Sequence, residues 1–174
     1  MSVTHPPRRV PPIVVMGVAG AGKTDIGSML ADHLSVDFID GDDLHPHANI
    51  VKMASGHPLD DEDRQPWLAN IGTWLADRAD SGAVVACSAL KRIYRDQLRM
   101  ACPNLAFVHL AGNRTIVTQR IKARTGHFMP ASLIDSQYAT LEPLTADEVG
   151  ITLNFDASRE ELVTMAAAWL ADIN

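Results

Sequence analysis

Gly22, Lys23 and Thr24 are consecutive, and four residues separate Gly17 from Gly22, within the stretch MGVAGAGKTDIGSML. This is the pattern G-x-x-x-x-G-K-[ST], and its chemistry is phosphate binding. Gly17, Gly20 and Gly22 allow a tight turn in which the N–H groups through Ala21, Lys23 and Thr24 aim at phosphate oxygens. The positive end of the following helix adds to that attraction. Lys23 can reach the β- and γ-phosphates, and the Thr24 hydroxyl can ligate Mg²⁺. The context agrees, because an apolar run (13–16) precedes the turn and a helical pattern (23–34) follows it. A chance glycine-rich turn would not match the fixed positions and the context together. By itself the loop implies only a nucleotide, with Mg²⁺ beside its phosphates.

A second set of reactive side chains lies in DGDDLHPHANIVKMASGHPLDDEDRQPWL, residues 40–68. Asp40 and Asp42 flank Gly41, and in an extended chain both carboxylates face one side. One could hold Mg²⁺ through water while the other orients or deprotonates a hydroxyl. A solvated acidic turn is the bland alternative. Asp42 is the leading candidate for the hydroxyl, and Asp40 joins Thr24 as the candidate metal ligand, with either acid able to take the catalytic role. Many ATPases and GTPases carry their metal-binding aspartate at the end of another core strand. Here 83–87 runs into Ser88 and 105–110 into Ala111, so neither strand ends in a carboxylate. That points to a small-molecule kinase rather than a motor or switch. His45 and His47 have no third ligand at a zinc spacing, which argues against a transition-metal site.

Cations are placed to meet an anionic acceptor. Lys91 and Arg95 lie four apart in KRIYRD, on one face of a helix, and Arg64 follows the acidic run DDED. Arginine's planar fork suits a carboxylate, although any one of these taken alone reads as a solvated surface cation. Arg120 and Arg124 are likewise four apart, ahead of the turn residues Gly126 and Pro130. Trp67, Leu68, Ile71, Trp74 and Leu75 have the spacing of a core-facing helix stripe.

The elements that must position these groups alternate. Strand candidates are 13–16, 36–39, 83–87, 105–110 and 151–155; helical patterns fall at 23–34, 66–80, 91–101 and 114–124. Continuous apolar strands between helices predict an α/β fold whose parallel sheet is covered on both faces. A last helix opens on a Ser158/Glu161 capping box, with Leu162, Met165, Ala166, Trp169, Leu170 and Ile173 as one stripe. Segments 41–66 and 125–149 read as irregular and follow the sheet's carboxyl edge, where ligands of open α/β sheets bind. They are expected to form the acceptor pocket and a cover. Residues 1–12 read as a loose tail before a single domain of 13–174.

Composition sets further bounds. The chain has 174 residues, 47% of them hydrophobic, and a net charge of −6, which disfavours nucleic acid as a partner. No run approaches the roughly 18 apolar residues of a membrane span. Cys87 and Cys102 fit no disulfide framework or metal spacing and read as reduced thiols of a cytoplasmic protein.

MGVAGAGKT, the long 40–68 stretch, CSALKRIYRDQLR, RTGHFMP and SQYATLEPL together resemble the gluconokinases, relatives of the shikimate and adenylate kinases. The shared stretches run from residue 16 to about 144. The resemblance implies a three-layer fold around five parallel strands in the order 2-3-1-4-5, with a mobile lid near 120–140. It implies ATP-dependent phosphorylation of the 6-hydroxyl of D-gluconate by a homodimer. It assigns Arg64, Lys91 and Arg95 to the acceptor, with His45, His127 and Gln137 as further contacts. Arg120 and Arg124 become lid arginines that reach the nucleotide phosphates, Arg124 stabilising charge on the transferred group. Ala19 and Ala21 stand where members often carry serine, which tunes affinity because backbone N–H groups do most of the cradling. After Glu142 the chain is less like the family pattern. The rival readings are a kinase of another small hydroxy acid or sugar, and an ATP-binding regulatory module.

Overall fold

Alternate residues of a strand point to opposite faces of its sheet, so a strand covered on both faces is apolar throughout. β1 (Pro12–Met16) is such a strand: Ile13 and Val15 belong to one core, Val14 and Met16 to the other, and all four are fully buried. The computed structural model describes residues 9–124 and 131–173. In it β1 is joined by β2 (Asp37–Asp40), β3 (Ala83–Ala86), β4 (Ala106–Ala111) and β5 (Gly150–Asn154). All pairings are parallel and the order is β2-β3-β1-β4-β5, as the resemblance implies.

Helices α1 (Lys23–Leu34) and α7 (Arg159–Ile173) cover one face, burying Ile26, Leu30, Leu162, Ala166 and Leu170 against Val15, Val84 and Val108. Helices α3 (Asp61–Ala76) and α4 (Arg92–Ala101) cover the other, with Trp67, Leu68, Ile71, Leu75 and Leu98 against Val14, Val85 and Phe107. Each such aliphatic side chain contributes about 1.5–3 kcal/mol of burial. The capping box of α7 forms as its sequence predicts. Its buried stripe is narrower than expected, since Met165 and Ile173 stay largely exposed while Val163 is buried.

The two segments read as irregular contain helix. A 3-10 turn (Gly41–Leu44) and α2 (His47–Ala54) follow β2, α5 (Arg114–Ala123) follows β4, and α6 (Ala131–Thr140) precedes β5. α2 carries no core stripe, because Ile50, Val51 and Met53 are exposed, so periodicity could not reveal it. α3 starts at Asp61 rather than at residue 66. An Asp60/Asp63 capping box and three acidic residues in the first turn hold its start, and Pro66 is accommodated inside it. Gly126, His127 and Pro130 lie outside the described residues.

His109 of β4 is buried, and among the described residues neither ring nitrogen has a hydrogen-bond partner. Desolvation first, and Arg95 second, lower its pKa to about 4. The unfolded chain therefore binds a proton from about pH 6.5 downward that the folded chain refuses until about pH 4. Stability present above pH 6.5 is lost across that window, about 2 kcal/mol of it by pH 5. Urea melts of wild type and His109→Leu at pH 7.5 and pH 5 check this: the variant should show the smaller acid loss. An equal loss in both proteins would refute it.

Candidate active site

Where β1 ends, the chain turns through 17–22 into α1. A Cβ on Gly17 would stand 2.7 Å from the Leu110 carbonyl oxygen, and Gly22 caps α1 at φ 95°. Both positions require glycine. Among the described residues no side chain caps α1, and its first residues line a cleft. Lys23 Nζ lies in this turn and donates to the Val18 carbonyl at 3.0 Å. Desolvation lowers its pKa, and Asp42 and Asp40 oppose that shift.

The cleft has a volume of about 680 Å³ and is lined by Gly20, Gly22, Lys23, Thr24, Asp40, Asp42, Ser88, Arg124 and Gln137, among others. Asp40 and Asp42 both reach it, though not by strand alternation. Asp40 caps the 3-10 turn, accepting from the Asp42 N–H at 3.0 Å, and its other oxygen accepts from the Thr24 hydroxyl at 2.8 Å. This hydroxyl–carboxylate pair is the hard-oxygen donor set that Mg²⁺ takes, with water completing the shell. Asp42 then projects into the cleft with 84% of its side chain exposed. Desolvation within the cleft and the neighbouring Asp40 charge raise its pKa. Cys87 also lines the cleft, but burial pushes its thiol up to about 12, which leaves it inert.

Of the two lid arginines, only Arg124 lines the main cleft. Arg120 faces an adjoining cavity of about 290 Å³, where it donates to the Phe155 carbonyl at 2.7 Å and lies over the Phe155 ring. Its other nitrogen is 3.4 Å from the Gly20 carbonyl. Backbone carbonyls thus hold Arg120 beside the phosphate loop, in a cavity that Gly20 and Gly22 also line, rather than in the main cleft.

A third cavity, of about 440 Å³, shares Ser88 and Gln137 with the main cleft and is lined by Asp61, Arg64, Lys91 and Tyr94. Lys91 pairs with both oxygens of Asp61, at 3.0 and 3.1 Å, and Tyr94 donates to the same carboxylate. Arg64 donates to the Leu59 carbonyl at 2.6 Å and faces the Tyr94 ring; among the described residues no carboxylate pairs with it. Arg64 is accordingly the cation with charge to spare in this cavity. Gln137 accepts from the Ala19 N–H at 2.6 Å and so ties α6 to the phosphate loop, at the junction of the two cavities.

Arg95 does not belong to this cavity. It is fully buried, bonds Glu148 through two nitrogens at 2.7 and 3.0 Å, and donates to the Ala89 and Leu90 carbonyls. Helical spacing placed it on the face of Lys91, but Lys91 is the cap that precedes α4, so the two side chains diverge. His45 stacks on Trp67 with ring centroids 4.4 Å apart, beside Asp42. His127 lies outside the described residues.

Sequence reasoning passed over Asn49, Asp61, Tyr94 and Ser88. Tyr94 and Lys91 meet through the Asp61 carboxylate of α3, which no local pattern contains. Asn49 left no local signal either, because its partners lie on other elements.

The shikimate kinase family matches residues 19–148 of the chain. The gluconokinase of Gluconobacter oxydans is 48% identical over 157 residues, 87% of this chain and 88% of that protein. The thermoresistant gluconokinase of Escherichia coli K12 is 45% identical over 140 residues, 79% of this chain and 80% of that one. A crystal structure of a gluconokinase from Sinorhizobium meliloti superposes with a TM-score of 0.87 at 48% identity, covering 95% of both chains. On its phosphate loop, its sheet order and these likenesses, the chain belongs to the gluconokinases, a branch of the shikimate kinase family of phosphate-loop kinases.

Proposed function

We propose that the protein transfers the γ-phosphoryl group of ATP to the 6-hydroxyl of D-gluconate, giving ADP and 6-phosphogluconate. The observation that carries this reading is the pair of adjacent cavities with shared lining residues. One holds the phosphate loop and Asp42, and the other holds an unpaired arginine, with Ser88 and Gln137 at their junction. An acceptor with a carboxylate at one end and a hydroxyl at the other can span them.

Backbone N–H groups of 20–24 hold the β- and γ-phosphates, and Lys23 leaves the Val18 carbonyl to meet them. Arg64 takes the gluconate carboxylate, while Lys91, Tyr94 and Gln137 offer hydrogen bonds to its hydroxyls. Asp42 accepts the proton of the attacking hydroxyl, and Arg124 stabilises charge on the transferred group. Thr24 and Asp40 would hold Mg²⁺, which when bound neutralises phosphate charge. The family resemblance supports a homodimer working in the cytoplasm. Among the described residues no helix is long and apolar enough to cross a membrane.

Coupled assays of ADP release across gluconate, shikimate, other sugar acids and polyols test the assignment. Gluconate should give the highest kcat/KM, with phosphorus detected on carbon 6. If gluconate performs no better than buffer, the substrate assignment fails.

A further inference from the structure

Asn49 of α2 is 5% exposed and makes two contacts through its amide nitrogen. It donates to the Asp63 backbone carbonyl at 2.9 Å, and it faces His45 Nδ1 at 3.3 Å. A backbone carbonyl only accepts, so Asp63 decides which end of the amide points inward. The NH₂ group that meets this carbonyl also meets Nδ1, and a nitrogen that accepts from an amide carries no proton. In the neutral ring the proton is therefore on Nε2. That nitrogen lies 4.0 Å from Asp42 Oδ1.

The ring has little freedom to do otherwise. Its side chain is 7% exposed and stacked on Trp67, whose indole N–H is anchored to the Gly41 carbonyl at 2.8 Å. Asp42 is the exposed partner, open to the cleft, so closing the 4.0 Å gap to the ring N–H falls to its side chain rather than to the packed ring. Desolvation lowers the His45 pKa, with Arg64 adding to that and Asp42 opposing it. A neutral N–H can hold one oxygen of a carboxylate and leave the group basic, whereas an imidazolium would stabilise the anion and weaken it as a base.

We propose that Asn49 is a positioning residue that sets His45 as the Nε2–H tautomer, and that this neutral donor orients Asp42 toward the acceptor hydroxyl. The inference rests on the phosphoryl-transfer reading of the cleft given above. It assigns His45 to the base rather than to gluconate.

Ring-nitrogen NMR of ¹⁵N-histidine-labelled full-length protein at neutral pH tests the tautomer directly. Wild type should show a His45 ring protonated on Nε2 alone, and Asn49→Leu should lose that single state. Kinetics test the consequence. Asn49→Leu and His45→Asn should each lower kcat about tenfold or more, with the KM values for ATP and gluconate little changed. His45→Gln, whose amide nitrogen can stand in for Nε2, should recover about tenfold over His45→Asn. If Asn49→Leu melts below the assay temperature, the His45 pair carries the kinetic arm. A wild-type ring protonated on Nδ1 or on both nitrogens overturns the proposal. So do substitutions that raise only the gluconate KM. An inactive wild type with an Nε2–H ring would sink the function proposed above and leave the tautomer standing; an active wild type with an Nδ1–H ring would do the reverse.

Discussion

Asp42→Asn is expected to lower kcat by about 10²- to 10⁴-fold while ATP binding stays within a few-fold. The asymmetry follows from where the carboxylate stands. Asp42 projects into the cleft, whereas Asp40 is engaged by the Thr24 hydroxyl and the Asp42 N–H. Removing the Asp42 charge deletes a proton acceptor but leaves the phosphate loop and its oxygen ligands in place. The raised pKa of Asp42 has a visible consequence, because the rising limb of kcat/KM against pH should lie above that of an ordinary carboxylate. Asp40→Asn is the control and should weaken the dependence on Mg²⁺ instead. Steady-state kinetics with nucleotide-binding titrations separate the two. Equal losses of turnover and ATP affinity in Asp42→Asn would place that residue on the metal and remove it as the base.

Arg95→Met should cost about 3 kcal/mol of stability, which for a chain of this size lowers Tm by about 10 °C. Burial would push the Glu148 carboxyl up, but the bonds from Arg95 outweigh it and hold it at about 2. Without Arg95, a buried anion keeps Arg99, at 3.0 Å, the more distant Arg92, and the Thr145 N–H and hydroxyl. The loss therefore falls at the low end of the range for broken buried pairs. Arg95 also donates to the carbonyl of Ala89, a non-glycine residue held at φ 44°, so the turn that delivers Ser88 and Lys91 should loosen as well. Thermal melts and gluconate kinetics below the new Tm decide the matter. A normal Tm with a gluconate KM raised about a hundredfold would return Arg95 to the acceptor site.

Lys91 and Arg95 show how far spacing could carry the reading of the site. Both are cations four residues apart, and both were assigned to the acceptor. Lys91 meets Asp61 at a cavity wall, while Arg95 is drawn into the core by Glu148. The difference rests on a carboxylate 53 residues further on, which no local pattern contains. Arg120 and Arg124 diverge for a similar reason, since the Phe155 carbonyl captures only the first. The centre of the sheet was easier to read, because β1 and β3 are apolar at every position and the burial of both faces demands that composition. α2 was not, since a short helix with its apolar residues in solvent leaves no periodic trace.

The sequence alone determined the phosphate loop, the strand-and-helix alternation and the acidic end of β2. Each is written in contiguous residues and acts through backbone geometry that those residues impose locally. Only the tertiary structure decided which cations face the cleft, which partners surround His45 and that Gln137 lines both cavities. Those outcomes depend on side chains from separate elements competing for the same hydrogen-bond partners, and packing settles that competition.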